Sequence, residues 1–376
     1  MARIMPGIGY PDSLNVFLTS RCNLGCSYCF VDRAGHKGKE IGQASLKEAI
    51  DIFWKSPGNQ KTISFTGGEP FLRFGEIKRI YPYIQRKQRN NPAAKLMITV
   101  ATNGTLLDSK SYRFLKETGI ILKISLDGKK EIHDANRPFN SKKCGSSYDR
   151  ITDNLKKLHR GRKDGYRINA QLVFSPSTAG KLLENIRLLW ENGFDCIDFY
   201  PDLYAQWSKE DLDKLNSEFR AFADFYLSLL KNSPSREDIF QNSLLQAFIK
   251  ETGLYKSLHC AKIHLDWKGN FYCCDKVFSL PEPKRREFAI GDTHKGINNS
   301  LRLKLLEEKR RQIRDLTGKD CRRCAYLKYC FCPIGHYIYF STQGLDFKQY
   351  FSQFCRLSRI YISNFLRIKK KLLAVY

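Results

Sequence analysis

Apolar residues in the first two hundred positions follow two alternating periods. Leu14 to Thr19, Thr62 to Phe65, Leu96 to Val100, Ile121 to Ser125, Ile168 to Phe174 and Cys196 to Tyr200 are short and rich in β-branched residues, as buried strands are. Between them apolar residues recur at helical spacing, as in Leu46, Ile50 and Phe53, in Ile151, Leu155 and Leu158, and in Leu182, Ile186 and Leu189. Such alternation predicts parallel strands joined by crossover helices, and six repeats predict an α/β fold, a partial (β/α)6 barrel over residues 1–207. Residues 208–258 read as a helical bridge interrupted near Pro234.

Alternation fades after that. Residues 259–355 are rich in Cys, Lys, Arg and short turns, which predicts a smaller Cys-rich domain that hardly builds a core unless metal sites hold it together. The tail, 356–376, carries six basic and no acidic residues with Leu357, Ile360, Leu366 and Ile368 interspersed, the pattern of a basic amphipathic helix. Such a helix docks on an anionic membrane surface or an acidic peptide, or packs on its own protein with the basic face in water.

With 376 residues, 42% of them hydrophobic, the chain can bury a large core and a smaller appended one. Neither a secretory signal nor an apolar run long enough to span a bilayer is visible, so the expected location is cytoplasmic. Thirteen cysteines in such a chain point to metal ligands when they cluster: Cys144 and Cys196 stand alone, while the others form tight groups with Cys355 after the last. The formal net charge of +26 draws acidic partners, and without a zinc-finger, RNA-recognition or helix-turn-helix signature no nucleic-acid partner is expected.

The first cysteine group, Arg21-Cys22-Asn23-Leu24-Gly25-Cys26-Ser27-Tyr28-Cys29-Phe30, follows the first strand at its C-terminal end, where α/β barrels place their active sites. Three thiolates spaced CxxxCxxC can hold three irons of a cubane cluster and leave the fourth iron open to a ligand. The competing reading is zinc, with His36 as fourth ligand. Thr66-Gly67-Gly68-Glu69-Pro70 ends the second strand, Thr102-Asn103-Gly104 the third and Ser125-Leu126-Asp127-Gly128 the fourth. Glycines admit a ligand close to the backbone and Glu69 can pair with an ammonium, although each polar loop residue alone is more often a helix cap or turn former.

Together these residues resemble the radical S-adenosylmethionine (SAM) superfamily, whose signature CxxxCxφC takes an aromatic φ, here Tyr28. The resemblance implies a [4Fe-4S] cluster on Cys22, Cys26 and Cys29, and a GGEP-like motif, Gly67, Gly68 and Glu69, at the SAM amino group. It implies Ser125 and Asp127 at the ribose or carboxylate, Arg137 at the carboxylate, and Asn103 among the cofactor-binding residues. The implied chemistry is electron transfer from the reduced cluster to SAM, release of methionine and a 5′-deoxyadenosyl radical, and removal of a hydrogen atom from substrate.

Cys321, Cys324, Cys330, Cys332 and Cys355, with Cys260, Cys273 and Cys274 before them, form a cluster or zinc pattern. It resembles the SPASM domain of peptide-modifying radical SAM enzymes, which implies a distal cluster on Cys321, Cys324, Cys330 and Cys355 and a nearer one involving Cys260, Cys274 and Cys332. This chain departs from the pattern in two places. Only Phe331 separates Cys330 from Cys332, and the nearer site lacks an obvious fourth cysteine unless Cys273 supplies it, so one or two auxiliary [4Fe-4S] clusters are expected. Lys268 to Asp275 resembles the DGxxYPCD strand of anaerobic sulfatase maturases, with Cys273 in place of proline, which implies that Asp275 is a catalytic general base; alternatively its charge is satisfied by basic neighbours.

The resemblance implies an oxidoreductase that modifies side chains of a ribosomally made precursor peptide by cross-linking or other oxidation. A sulfatase maturase forming formylglycine and a dehydrogenase of a small molecule are the alternatives, and a non-enzymatic iron–sulfur carrier leaves the SAM-site elements unexplained. Expected partners are an acidic peptide or protein and an electron donor such as flavodoxin or ferredoxin, with membrane-surface contact through the tail as a further option.

Overall fold

The computed structural model describes residues 10–31, 38–159, 166–202, 204–232, 242, 245, 261–318, 323–326, 337–338, 340 and 346–375. All six expected strands are present: β1 (Ser13–Thr19), β2 (Gln60–Gly67), β3 (Lys95–Thr102), β4 (Ile121–Ser125), β5 (Ile168–Phe174) and β6 (Cys196–Pro201). They pair in parallel and in chain order. The crossovers carry α1 (Gln43–Trp54), α2 (Phe74–Arg89), α3 (Ser109–Thr118), α4 (Lys130–Asn136), α5 (Ser147–His159) and α6 (Leu182–Glu191), and α7 (Lys209–Asn232) follows β6.

Side chains alternate strictly across this sheet. Leu14, Val16, Ile63, Phe65, Val100, Leu122, Ile124, Leu172 and Phe199 are buried on the face that meets the helices. The opposite face presents Asn15, Ser64, Thr66, Lys123, Ser125, Asn169, Gln171 and Tyr200, all half-buried. A flat sheet would hold its seventh strand about 29 Å from its first at the usual spacing. Yet Lys276, which follows a further strand on the far side of β1, holds its ammonium 5.8 Å from the ring centre of Tyr204, just past β6. The sheet therefore curls, with the polar face inside.

That further strand, β7 (Lys262–Leu265), pairs parallel with β1 and begins an antiparallel meander through β8 (Asn270–Tyr272), β9 (Ala289–Asp292) and β10 (Gly296–Ile297). Part of the segment 259–355 builds a core. Ile263, Leu265, Phe271, Tyr272, Val277, Phe278, Leu280 and Ile290 are all fully buried, and Phe278 stacks on Phe17 of β1 with ring centroids 3.8 Å apart. Runs of only two to four residues had hidden this core from a periodicity reading. Short α8 (Glu282–Arg286) and longer α9 (Asn299–Thr317) complete the segment.

The terminal helix α10 runs Phe347–Val375, so it starts nine residues before the expected tail and contains Cys355. Phe351, Phe354, Leu357, Tyr361, Phe365 and Ile368 face inward and are buried. Tyr361 donates a 2.9 Å hydrogen bond to the Phe199 carbonyl, and Arg367 pairs with Asp224 of α7 at 3.0 Å. The apolar face is thus spent on the protein itself. Among the described residues no helix is long and apolar enough to cross a membrane.

Candidate active site

The loop after β1 is held from two sides. Gly68 N–H donates to Thr19 O at 2.7 Å and Glu69 N–H to Arg21 O at 2.8 Å, so the backbone after β2 runs along the start of the loop. Contact is so close that a Cβ on Gly68 would stand 2.1 Å from Arg21 O, and Gly67, at φ +125°, would place one 2.4 Å from Thr19 O. The two glycines are therefore required by the loop's own packing. From a second side, residues 136–140 add Gly25 N–H to Pro138 O at 2.8 Å, Ser27 N–H to Asn136 O at 2.9 Å and Asn140 Nδ2 to Cys22 O at 2.9 Å.

Cys22, Cys26 and Cys29 are half-buried on this loop. Burial pushes the Cys22 thiol up to about 12 and the Cys26 thiol up to about 11, so both are protonated near neutral pH, and a metal bound there would displace those protons. The Leu24 N–H and Asn103 Nδ2 approach the Cys22 sulfur at 3.5 and 3.8 Å, donors suited to an anionic ligand sulfur. Among the described residues no three His, Cys, Asp or Glu side chains converge on one point where a single ion could sit. Ligands that each take a different iron of a cubane need no such convergence. The donor set thus fits a cluster; His36 lies outside the described residues.

Glu69 is fully buried at the end of β2. Its Oε1 accepts from Phe71 N–H at 2.9 Å and Thr102 Oγ1 at 2.6 Å, and its Oε2 from Asn103 N–H at 2.7 Å. Burial raises its pKa to about 7 against the pull of these donors. A carboxylate offers about four acceptor positions, so one remains for a ligand ammonium. Asn103 donates from Nδ2 to Asn23 Oδ1 at 2.8 Å and ties the end of β3 to the cysteine loop.

Asp127, just past β4, is completely enclosed. Arg137 donates from Nε to Oδ2 and from Nη2 to Oδ1, each at 3.1 Å; Val173 N–H reaches Oδ1 at 3.0 Å, Asn136 Nδ2 reaches Oδ2 at 3.3 Å, and the Tyr28 hydroxyl also donates to Oδ2. These donors take up the lone pairs of Asp127, which thereby ties Arg137, Tyr28, Asn136 and Val173 together. Burial acts to raise the Asp127 pKa, but the Arg137 charge and hydrogen bonds outweigh it and hold the carboxyl below its ordinary value. The Arg137 guanidinium also lies 5.1 Å from the Tyr28 ring centre, so this pair fixes the aromatic between Cys26 and Cys29. Ser125 stands beside it on β4, half-buried and facing the barrel interior.

Across the interior, Cys274 is half-buried where β8 ends and Cys273 is buried in the core. Asp275 opens a one-turn 3-10 helix, with Oδ2 3.6 Å from Lys276 Nζ. Burial raises its pKa, yet Lys276, with His264 and Lys262 close by, brings the carboxyl down to about 2. Lys276 in turn covers the Phe30 ring at 4.5 Å, next to Cys29. Cys324 is exposed and Cys355 half-buried on α10, while Cys260, Cys321, Cys330 and Cys332 lie outside the described residues.

Sequence reasoning missed Asn23, Asn136, Asn140 and His133, the residues that clamp the loop. His133 Nδ1 accepts the Asp127 N–H at 3.3 Å. Their signal was present in the run His133 to Asn140, where several polar residues precede a buried Ser147 without helical period.

The radical SAM superfamily pattern matches residues 16–169, the span that holds every one of these loops up to β5. An uncharacterised protein of Methanocaldococcus jannaschii is 30% identical over 244 residues, 63% of this chain and 80% of that protein. This chain belongs to the radical SAM superfamily. Within the superfamily it is also 24% identical to a cysteine-type anaerobic sulfatase-maturating enzyme of Clostridium perfringens (strain 13 / Type A), over 83% of this chain and 85% of that enzyme. Its fold matches a solved structure of native anSMEcpe with bound AdoMet and Cp18Cys peptide at a TM-score of 0.70 and 21% identity, covering 96% of this chain and 99% of that one.

Proposed function

We propose that the chain is a radical SAM oxidoreductase that removes a hydrogen atom from a side chain of a ribosomally made precursor peptide, with Asp275 as the base that completes the oxidation. One observation carries the reading: Lys276, which pairs with Asp275 at 3.6 Å, lies 4.5 Å from the ring centre of Phe30 next to Cys29, so the candidate base lies close to the cysteine loop. When bound, a cluster on Cys22, Cys26 and Cys29 together with SAM supplies the one-electron chemistry that starts hydrogen abstraction. Glu69 offers its remaining lone pair to the SAM ammonium, Ser125 faces the chamber as a ribose or carboxylate partner, and the Asp127–Arg137 pair holds Tyr28 and the loop in place. Likeness to a sulfatase-maturating enzyme and to a structure holding a peptide supports a peptide or protein substrate. The same likeness favours a second reading, formation of formylglycine from Cys or Ser.

A carbon radical becomes a two-electron oxidised product only by losing an electron and usually a proton, and in this reading Asp275 takes that proton. Asp275→Asn keeps the size of the side chain and removes the base. Reductive formation of 5′-deoxyadenosine should continue, while modified peptide falls by about a hundredfold or more. Both are measured in one anaerobic reaction, by chromatography and by peptide mass, with peptides from small reading frames beside the gene and with a sulfatase active-site peptide. Near-normal modification by the variant removes Asp275 from the role, and a mass shift on the sulfatase peptide alone selects the second reading.

Auxiliary clusters on Cys260, Cys274, Cys321, Cys324, Cys330, Cys332 and Cys355 belong to the same proposal. Iron in reconstituted protein should exceed that of one cubane, and the excess should fall when Cys321 and Cys324 are replaced. Zinc found in place of the extra iron would overturn this assignment.

A further inference from the structure

A strongly basic stretch of surface beside the cysteine loop is joined by its own ion pairs. Arg21, the residue before Cys22, reaches Glu40 Oε1 with Nη1 at 3.5 Å, and Arg73 reaches the other oxygen of Glu40 at 2.9 Å. Arg73 also pairs with Glu76 at 3.1 Å, and Arg79 pairs with the same carboxylate. Three guanidiniums thus share two carboxylates, Glu76 buried and Glu40 half-buried, while Arg21 and Arg79 stay largely in solvent. Lys39 adds an exposed side chain, placed beside Arg21 by its N–H on Ser20 Oγ at 3.0 Å and by the Ser20 N–H on its carbonyl at 2.8 Å.

Exposed leucines stand within and beside this surface. Leu72, 38% exposed, precedes Arg73 in the one-turn 3-10 helix Pro70–Arg73. Leu106, 39% exposed, occupies the neighbouring turn after β3, where Thr105 Oγ1 accepts from Asn23 Nδ2 of the cysteine loop at 2.8 Å. Two of the seven large apolar side chains exposed among the described residues therefore border the start of the loop, and apolar groups ringed by charge mark a contact surface.

Position decides what that surface can serve. Helix α2 turns Ile77, Ile80 and Ile84 into the core, so Arg79 and the turn before the helix belong to the helical shell and not to the polar interior. A partner seated there meets the loop from outside and cannot offer a side chain to the barrel interior, yet Arg21 lies one residue from Cys22. What can pass from such a partner to the loop is an electron.

We propose that Arg21, Lys39, Leu72, Arg73 and Arg79 form the docking surface for a small acidic one-electron carrier, whose flavin or iron–sulfur centre reduces the cluster on Cys22, Cys26 and Cys29. The carrier loses one electron, the cluster gains one, and no atom passes between them. A patch of this kind suits the small, transient interfaces of electron transfer, and its charge steers an acidic partner into orientation. The inference rests on the radical SAM reading of the three cysteines and gives the reductant its place. A protein of net charge +26 attracts any acidic protein at long range, so affinity alone is no test and location is.

The test uses full-length reconstituted protein and two purified probes, a flavodoxin and an acidic [4Fe-4S] ferredoxin. Lys39→Glu with Leu72→Glu alters the patch without removing a thiol or any of its ion pairs. Leu301→Glu with Lys304→Glu makes the same change of charge and composition at exposed positions of α9. Calorimetric titration with each oxidised carrier should show binding weakened about tenfold or more in the first variant and changed by no more than about twofold in the second. At limiting carrier, formation of 5′-deoxyadenosine driven by the reduced carrier should fall in parallel, while formation driven by titanium(III) citrate stays at the unaltered level. Absence of titanium-driven cleavage in unaltered protein would defeat the reading beneath the inference, and the binding comparison would still decide the surface. Binding of neither carrier to unaltered protein, equal loss in the two variants, or full carrier-driven activity in the patch variant would each overturn the docking surface.

Discussion

Protein in which Cys22, Cys26 and Cys29 are all replaced by Ala should lose the iron of one cubane and fall to background in reductive formation of 5′-deoxyadenosine. The loop itself should persist. Its anchors are backbone bonds to Thr19, Arg21, Pro138 and Asn136, and none of them uses a thiol. Far-ultraviolet circular dichroism and the thermal midpoint of the metal-free variant should therefore match metal-free unaltered protein, whereas anaerobic iron analysis and 5′-deoxyadenosine yield should differ completely. Persistent reductive cleavage in the triple variant would show that the cluster sits elsewhere.

Asp127→Asn should be the most destabilising single change in the site. It leaves the Arg137 guanidinium buried opposite a neutral amide and puts an amide donor where the Tyr28 hydroxyl and Asn136 share the Oδ2 acceptor. Breaking a buried pair from one side typically costs about 3–5 kcal/mol. Chemical denaturation should show a midpoint shift of that size, and Asp127→Asn with Arg137→Met should recover part of it, since the uncompensated charge is then gone. An unchanged midpoint would mean that the pair is loosely held. Acid should act on the same pocket: burial brings the His133 pKa down to about 4 from an ordinary 6.5, so its neutral form is favoured in the folded chain. Stability is then full above about pH 6.5 and declines as pH falls toward 4, where unfolded chains take up a proton that folded ones refuse. Asp127, depressed below 3.8, adds its loss only below that value.

The barrel was legible because strands buried on one face and crossed by amphipathic helices leave two clean periods, and each expected strand from Leu14 to Tyr200 lies within two residues of its observed bounds. The cysteine loop and the glycine motif were legible from spacing. What could not be read was partnership. Asp127 and Arg137 stand ten residues apart and each resembles a ligand contact, but only the fold shows that they bond each other. Glycines read as room for a ligand prove to be room for the loop backbone as well. The meander after residue 261 was invisible because strands of two to four residues carry no measurable period, and their register depends on β1, far away in sequence.

That dependence reaches into the way the chain acquires its structure. Strand β1 is central, with β2 on one side and β7 on the other, and Ser13 aligns with both Thr62 and Lys262. During synthesis the first strand emerges long before its second neighbour exists, so one of its edges waits unpaired through most of translation. Exposed strand edges recruit other chains, and contacts between residues so distant in sequence form slowly. A fragment ending at residue 169, where the superfamily match stops, would keep that edge bare for good and should aggregate where the full chain does not. The early strand that precedes the cysteine loop is thus finished only when the late segment bearing Asp275 arrives, which makes completion of the sheet one of the last events in the birth of the protein.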